Sequence, residues 1–268
     1  MKKSNQHFLS VIVPVYKQSK TIAQDLYSIN DTLQQIRYDY EIIAVVDGTK
    51  VDDSYLQAKK CHLKKLTVLG YKTNHGKGYA VRYGMAHTKG DFVAFIDAGM
   101  EIDPNGISMI LEHLQWYNAD IIVASKRHPA SIVNYPFQRR IISFFAQTFS
   151  RLFLGINVRD TQAGLKIFKR KVLVKVLPRL LVKQYAFDLE ILSVANHLGF
   201  SRIFEAPVKI NYSFTSLTHA AGWKVIWKSF LDACAVVYRL RFLRYYDDKN
   251  IRKWKYDSDL DMRINTGL

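Results

Sequence analysis

Short runs of β-branched and aliphatic residues, each followed by a segment of helical period, fill the first half of this chain and leave few folds open to it. Phe8–Val15, Tyr40–Val46, Leu66–Tyr71, Asp91–Ile96 and Asp120–Ser125 read as strands. They are apolar on both alternations, as expected of strands covered on both faces. Ser19–Arg37, Asp53–Cys61, Gly78–His87 and Pro104–Asn118 read as helices, with Ser19 and Asp103 as candidate N-caps. The alternation predicts an α/β fold: a Rossmann-like, mostly parallel sheet flanked by helices. Ligands in such sheets bind at the carboxyl ends of the strands. Asp47, Asn74, Asp97 and Lys126 all fall there, so one pocket can gather them.

The second half changes character. Lys126–Lys183 holds 13 Lys/Arg and a single acid, Asp160. Phe137–Phe153 reads as an amphipathic helix with a wide aromatic face, and Trp223–Leu243 as a second whose end is basic. The last 20 or so residues are polar and predict a loose tail. These shifts divide the chain into residues 1–212, carrying the sheet and the 137–153 interface helix, and a basic, amphipathic segment, 213–268. The formal net charge of +16 asks for an anionic partner. A nucleic acid is disfavoured, because no helix-turn-helix, zinc or RNA-recognition pattern accompanies the charge. Two distant cysteines, Cys61 and Cys234, exclude a disulfide framework or zinc site. The N-terminal apolar run contains Pro14 and no small-residue cleavage site, so it reads as a strand and not a signal peptide. No uncharged apolar stretch reaches about 18 residues, the length a membrane span needs.

Four constellations carry candidate chemistry. Asp47-Gly48 ends a strand, where an Asp can bond a base or ribose, or simply make a turn. In Asn74–Met85, Gly76 and Gly78 allow close approach of backbone to a ligand, Lys77 adds a cation, and a helix begins directly after; this suits a diphosphate, against the plainer reading of a turn and helix start. Asp97 ends an apolar strand with Glu101 and Asp103 close behind, a carboxylate cluster able to hold Mg²⁺ or Mn²⁺ against a diphosphate. Asp160, amid cations, is either a salt-bridge anchor or a base; the neighbouring charges are expected to lower its pKa.

Taken in order, VIVPVYK (Val11–Lys17), YEIIAVVDG (Tyr40–Gly48), NHGKGYAVRYGM (Asn74–Met85), FIDAG (Phe95–Gly99), VASKR (Val123–Arg127), RDTQAGLKIF (Arg159–Phe168) and YAFDLEIL (Tyr185–Leu192) resemble the family 2 glycosyltransferases of the GT-A fold. The polyprenyl-phosphate sugar synthases are the most similar type, and the last two motifs resemble the glucosyl-type members. The resemblance implies a nucleotide-sugar donor and a polyprenyl or dolichyl phosphate acceptor. Pro14, Tyr16 and Asp47 would line the nucleoside pocket, with Asn74, Gly76, Lys77 and Gly78 near the diphosphate. Arg127, and Arg139 or Arg140, would bind phosphates, and Asp160 would act near the acceptor. Asp97 matches the first acid of the family's DxD metal motif. Gly99 stands where the second belongs, and Glu101 falls where these synthases often carry a metal-binding Gln.

The reaction implied is an inverting displacement of the nucleoside diphosphate by an acceptor oxygen, with Asp97 and Asp160 as its catalytic residues. It is expected to take place at the cytoplasmic side of a membrane, on a peripherally bound protein serving a cell-envelope glycan, with a homo-oligomer as a further use of the apolar helix faces. Two other readings stay open: a soluble enzyme acting on a sugar or protein hydroxyl, and a catalytically weakened nucleotide-sugar-binding protein, the latter suggested by the missing second acid.

Overall fold

The computed structural model describes residues 7–131, 147–184, 186–210, 223–248 and 253–265. Five strands fall where the apolar runs predict: β1 Phe8–Val15, β2 Asp39–Asp47, β3 Leu66–Tyr71, β4 Phe92–Ile96 and β5 Ile121–Ser125. Between them lie α1 Ile22–Gln34, α2 Ser54–Lys59, α3 Lys77–Ala86 and α4 Gly106–Trp116. Neither expected cap holds: α1 starts after Thr21 and α4 after Asn105, and the Asp103 carboxylate instead accepts from the Asn105 amides. Residues 147–154 are helical (α5). Then come β6 Leu165–Lys169, α6 Arg170–Val176, a 3₁₀ turn at Leu177–Arg179, α7 Phe187–His197, β7 Ile203–Pro207, α8 Trp223–Arg241 and a hairpin of β8 Trp254–Asp257 with β9 Met262–Asn265.

The main sheet has the order β3-β2-β1-β4-β6-β5-β7. All its pairings are parallel except those of β6, which runs antiparallel to both β4 and β5. This reversal brings the N-terminal end of β6 to the rim where β1, β2, β4 and β5 end. Side chains alternate between two cores, as strand geometry requires. Val11, Val13, Ile42, Ala44 and Ala94 join the layer under α1, α2 and α4, whereas Ile12, Ile43, Val45, Val93 and Phe95 join the layer under α3, α6, α7 and α8.

The expected C-terminal helix forms as α8, and the expectation of a loose tail is corrected. Ala233, Val236 and Leu240 of α8 are buried in the second core with Tyr245 and Tyr246, so this helix is part of the same hydrophobic body as the sheet. The expected loose tail contains the β8–β9 hairpin, whose Leu260 and Asn265 are buried and whose Asn265 carbonyl accepts from the Tyr245 hydroxyl at 3.2 Å. Most of the expected Phe137–Phe153 helix lies outside the described residues. Among the described residues, no helix is long and apolar enough to cross a membrane.

Candidate functional site

Lys77 opens α3 and Asp97 follows β4, and the fold brings them into contact. The Lys77 ammonium lies 2.8 Å from Asp97 Oδ2 and 3.7 Å from Asp188 Oδ2. Behind it the wholly buried Lys166 of β6 donates to Asp188 Oδ1 at 2.6 Å and to the Ala163 carbonyl at 2.7 Å. Charges as deep as Lys166 and Asp188 persist only when paired, and with the partly exposed Lys77 and Asp97 they make a chain of four that alternates in sign. Burial draws the Lys77 pKa down, but Asp97 and then Asp188 outweigh it and push the group above the ordinary lysine value. For Lys166 burial wins, and its pKa is lowered despite Asp188.

Asp97 is seated by β6. Its amide donates to the Gly164 carbonyl at 2.8 Å, and its carboxylate occupies the space beside Gly164. Oδ1 of Asp97 is buried and has no hydrogen-bond partner. Two residues on, the Gly99 amide donates to Asp25 Oδ2 at 2.9 Å. Asp25 is buried, and burial raises its pKa against that bond.

Glu101 is turned to a different partner, Lys126, whose ammonium lies 2.6 Å from its Oε1. The expected Asp97–Glu101 pair is therefore not a ready-made cage, and no group of three His, Cys, Asp or Glu side chains able to hold a metal occurs among the described residues. The donor chemistry nevertheless fits a hard divalent cation. Mg²⁺ is commonly held by one or two carboxylates plus substrate phosphates and waters. Asp97 offers an unpartnered oxygen for this, and Glu101 would share its carboxylate with Lys126.

Asp160 joins the same rim: its Oδ2 accepts the Lys126 amide at 3.1 Å, and its own amide donates to Glu205 at 3.1 Å. The expected lowering of its pKa is overturned. Burial raises it, and the opposing pull of Lys166 and Lys126 does not compensate.

Asp47, at the end of β2, is buried and its two oxygens accept from Asn74 Nδ2 at 3.0 Å and from the amides of His75 at 2.7 Å and Gly76 at 2.8 Å. In this structure its carboxylate shapes the glycine loop. Gly76 has φ of 102°, and a Cβ there would meet the Lys183 carbonyl at 2.6 Å; at Gly78 it would meet Phe187 Cβ at 2.4 Å. The glycines thus make room for Lys183, Gln184 and Phe187, and the Lys183 carbonyl also accepts the Tyr79 amide at the start of α3.

The remaining candidates sit as follows. Pro14 is half-buried in β1, Tyr16 is exposed with the Lys17 ammonium 5.3 Å from its ring, and Arg127 Nη1 donates to the Arg159 carbonyl at 3.0 Å. Arg139 and Arg140 lie outside the described residues. A cavity of about 640 Å³ near Arg37, Tyr40 and Lys65 lies at the opposite end of β2 and belongs to no part of this cluster.

Sequence reasoning assigned no role to Lys166, Asp188 or Glu190. The available signal was two acids inside the apolar run Phe187–Leu192, since such residues are almost never buried unpaired. Glu190 is fully buried and accepts from the Tyr246 hydroxyl at 2.7 Å and from the amides of Leu181 and Val182 at 3.0 and 2.9 Å, with Arg239 of α8 at 3.8 Å. Burial raises its pKa despite these donors. This carboxylate ties α7 and α8 to the segment that abuts the glycine loop.

The outer side of α8, opposite its buried stripe, is aromatic. Trp227, Phe230, Tyr238 and Phe242 are exposed, Phe230 packs on Phe149 of α5 at 5.8 Å between centroids, and Lys228 and Arg241 are exposed alongside.

Residues 10–177 match the profile of the family described as Glycosyl transferase family 2. Dolichyl-phosphate beta-glucosyltransferase of Drosophila melanogaster is 32% identical over 71% of this chain and 63% of its own length. The Dictyostelium discoideum protein of that name is 28% identical over 77% of this chain and 66% of its own. The chain thus spans just under two thirds of the length of these relatives. Among solved structures, mannosyl-3-phosphoglycerate synthase from Rubrobacter xylanophilus superposes with a TM-score of 0.69 at 18% identity, covering 92% of this chain and 77% of that one. Glucosyl-3-phosphoglycerate synthase from Mycobacterium tuberculosis in complex with uridine diphosphate gives 0.62 at 17%, covering 93% and 84%. These neighbours establish the GT-A fold.

Proposed function

The chain belongs to glycosyl transferase family 2, and on that premise we propose that it moves a hexose from a nucleotide sugar to a polyprenyl phosphate at a membrane surface. The observation that carries the reading is the Asp97 carboxylate, held beside Lys77 at the strand-end rim with one oxygen unpartnered. Relatives named dolichyl-phosphate beta-glucosyltransferase favour glucose and a dolichyl-type acceptor.

In this reading the donor diphosphate lies against Lys77 and Asp97, with Pro14, Tyr16 and Asn74 on its nucleoside side. Asp97, joined by Glu101, would hold Mg²⁺ or Mn²⁺, which when bound offsets the charge that builds on the departing diphosphate. Cations held at the site do the same, and such electrostatic stabilisation is usually the largest single contribution to rate. Attack by the acceptor from the opposite face inverts the anomeric centre. A phosphate acceptor is largely ionised near neutral pH, so Asp160 orients it and carries no essential proton. The raised pKa of Asp160 favours one rival reading, a hydroxyl acceptor with Asp160 as general base.

The aromatic side of α8 with its exposed Lys228 and Arg241 supports peripheral seating on anionic lipid: aromatic side chains enter the headgroup boundary while cations meet phosphates.

A screen of UDP-glucose, GDP-mannose and related donors, with and without polyprenyl phosphate, tests the proposal. Transfer that needs the lipid phosphate supports it. Equal transfer to soluble sugars without lipid would replace it by the hydroxyl-acceptor reading, and donor binding with no turnover in any arm would leave only a binding protein.

A further inference from the structure

Lys77 has two carboxylates within reach. It is bonded to Asp97 at 2.8 Å, and Asp188 Oδ2 waits at 3.7 Å, so the ammonium has about 1 Å to travel to exchange one for the other. Asp188 is in turn immobilised: it is buried, and its other oxygen is fixed by Lys166, which also holds the Ala163 carbonyl. Asp97, for its part, keeps one oxygen without a partner while the other holds the lysine. A cation bound to that carboxylate would lie next to the Lys77 ammonium, and like charges at such short range repel.

We infer that Lys77 is a resident counter-ion of Asp97 with a second seat at Asp188, and that this two-seat arrangement sets how readily Asp97 accepts a divalent cation. While Lys77 holds Asp97, the ion is excluded. When Lys77 moves toward Asp188, the Asp97 carboxylate is released. The lysine then remains in the site, paired at the rear, as a second positive charge for an incoming diphosphate. The buried Lys166–Asp188 pair is what keeps the second seat in place, which gives these two residues a positioning role at a site they do not line. The inference rests on the reading of Asp97 as the metal-binding acid given above.

Titration of the nucleotide-free protein with Mn²⁺, followed by electron paramagnetic resonance, tests it without any sugar or acceptor. Asp97→Asn should abolish the site-specific binding, and an unchanged isotherm would overturn the proposal. Lys77→Gln should tighten Mn²⁺ binding roughly tenfold, the equivalent of about 1.4 kcal/mol; unchanged or weaker binding overturns it. Asp188→Asn, which removes the second seat, should weaken binding several-fold in the wild-type background and have little effect in Lys77→Gln. Two charges acting only through their fields would give additive changes, so additivity in that double-mutant cycle also overturns it. If Asp188→Asn does not fold, the Lys77→Gln titration decides alone. A failed Lys77→Gln prediction in a protein that still transfers sugar removes the two-seat lysine and leaves the proposed function standing; absence of any donor use removes the function itself.

Discussion

Asp97 and Gly164 fit together as an acid and the absence of a side chain. The Asp97 amide donates to the Gly164 carbonyl at 2.8 Å, and a Cβ at position 164 would lie 2.5 Å from Asp97 Oδ2. The position of the acid is thus set by a residue 67 places later in the chain.

Gly164→Ala should therefore displace Asp97. Misplacing a reacting group by about 1 Å can cost on the order of 100-fold in rate, so transfer should fall by at least that factor. Overpacking of this kind costs roughly 1–3 kcal/mol, so the variant should still fold. Steady-state kinetics and thermal melts of the same preparation check both halves; a folded variant with full activity would refute the role of the contact.

Asp160 sets a pH prediction. Its pKa is raised from the ordinary 3.8, so the folded state binds this proton more tightly than the unfolded chain does. The stability it contributes is complete below the unfolded value and is lost as pH rises through the folded one. Asp160→Asn should flatten that decline in urea midpoints measured on the acid side of neutrality. With a phosphate acceptor, the variant should keep a measurable kcat; loss of all transfer would favour the general-base reading.

Tyr246→Phe removes the hydroxyl that donates to buried Glu190 at 2.7 Å. Leaving a buried acceptor short of a donor costs about 1–3 kcal/mol. Urea unfolding should report a loss in that range, and no change would mean that Glu190 finds another partner.

Replacing Trp227, Phe230 and Phe242 together by Ser should weaken binding to anionic vesicles without a large loss of stability, because all three are substantially exposed. Vesicle flotation at low and high salt is the measurement. Undiminished binding by the folded variant would exclude this side of α8 as the lipid-facing surface.

Much of the architecture is legible in the sequence because buried parallel strands are written as largely apolar runs, as β1, β2, β4 and β5 are, while the edge strand β3 is only partly buried. β6 is not such a run: Leu165–Lys169 carries a lysine at its second position, and the Asp188 carboxylate, 22 residues away, together with the Ala163 carbonyl, makes Lys166 a core residue. The β8–β9 hairpin is likewise hidden, since Trp254–Asp257 and Met262–Asn265 are short and mix polar with apolar residues, and the first is exposed along most of its length. At the site, the sequence locates Asp47, Asn74, Asp97 and Lys126 at the strand ends but not their partners. Local pattern admits a ligand or a plain turn beside Gly76 and Gly78, and it contains nothing of Lys183, Gln184 and Phe187, which lie against them. The sign of the Asp160 shift was beyond reach for a similar reason, because a count of neighbouring cations contains no measure of burial.

The reversed strand β6 has one more consequence. It stands between β4 and β5, so it alone joins the four strands β3-β2-β1-β4 to the pair β5-β7. A fragment that stopped short of residue 164 would keep Asp97 and Lys77 yet lose the wall against which the acid rests and the buried lysine that anchors Asp188. Chemistry here is therefore a property of the completed sheet and cannot be inherited by its N-terminal portion, however well that portion folds.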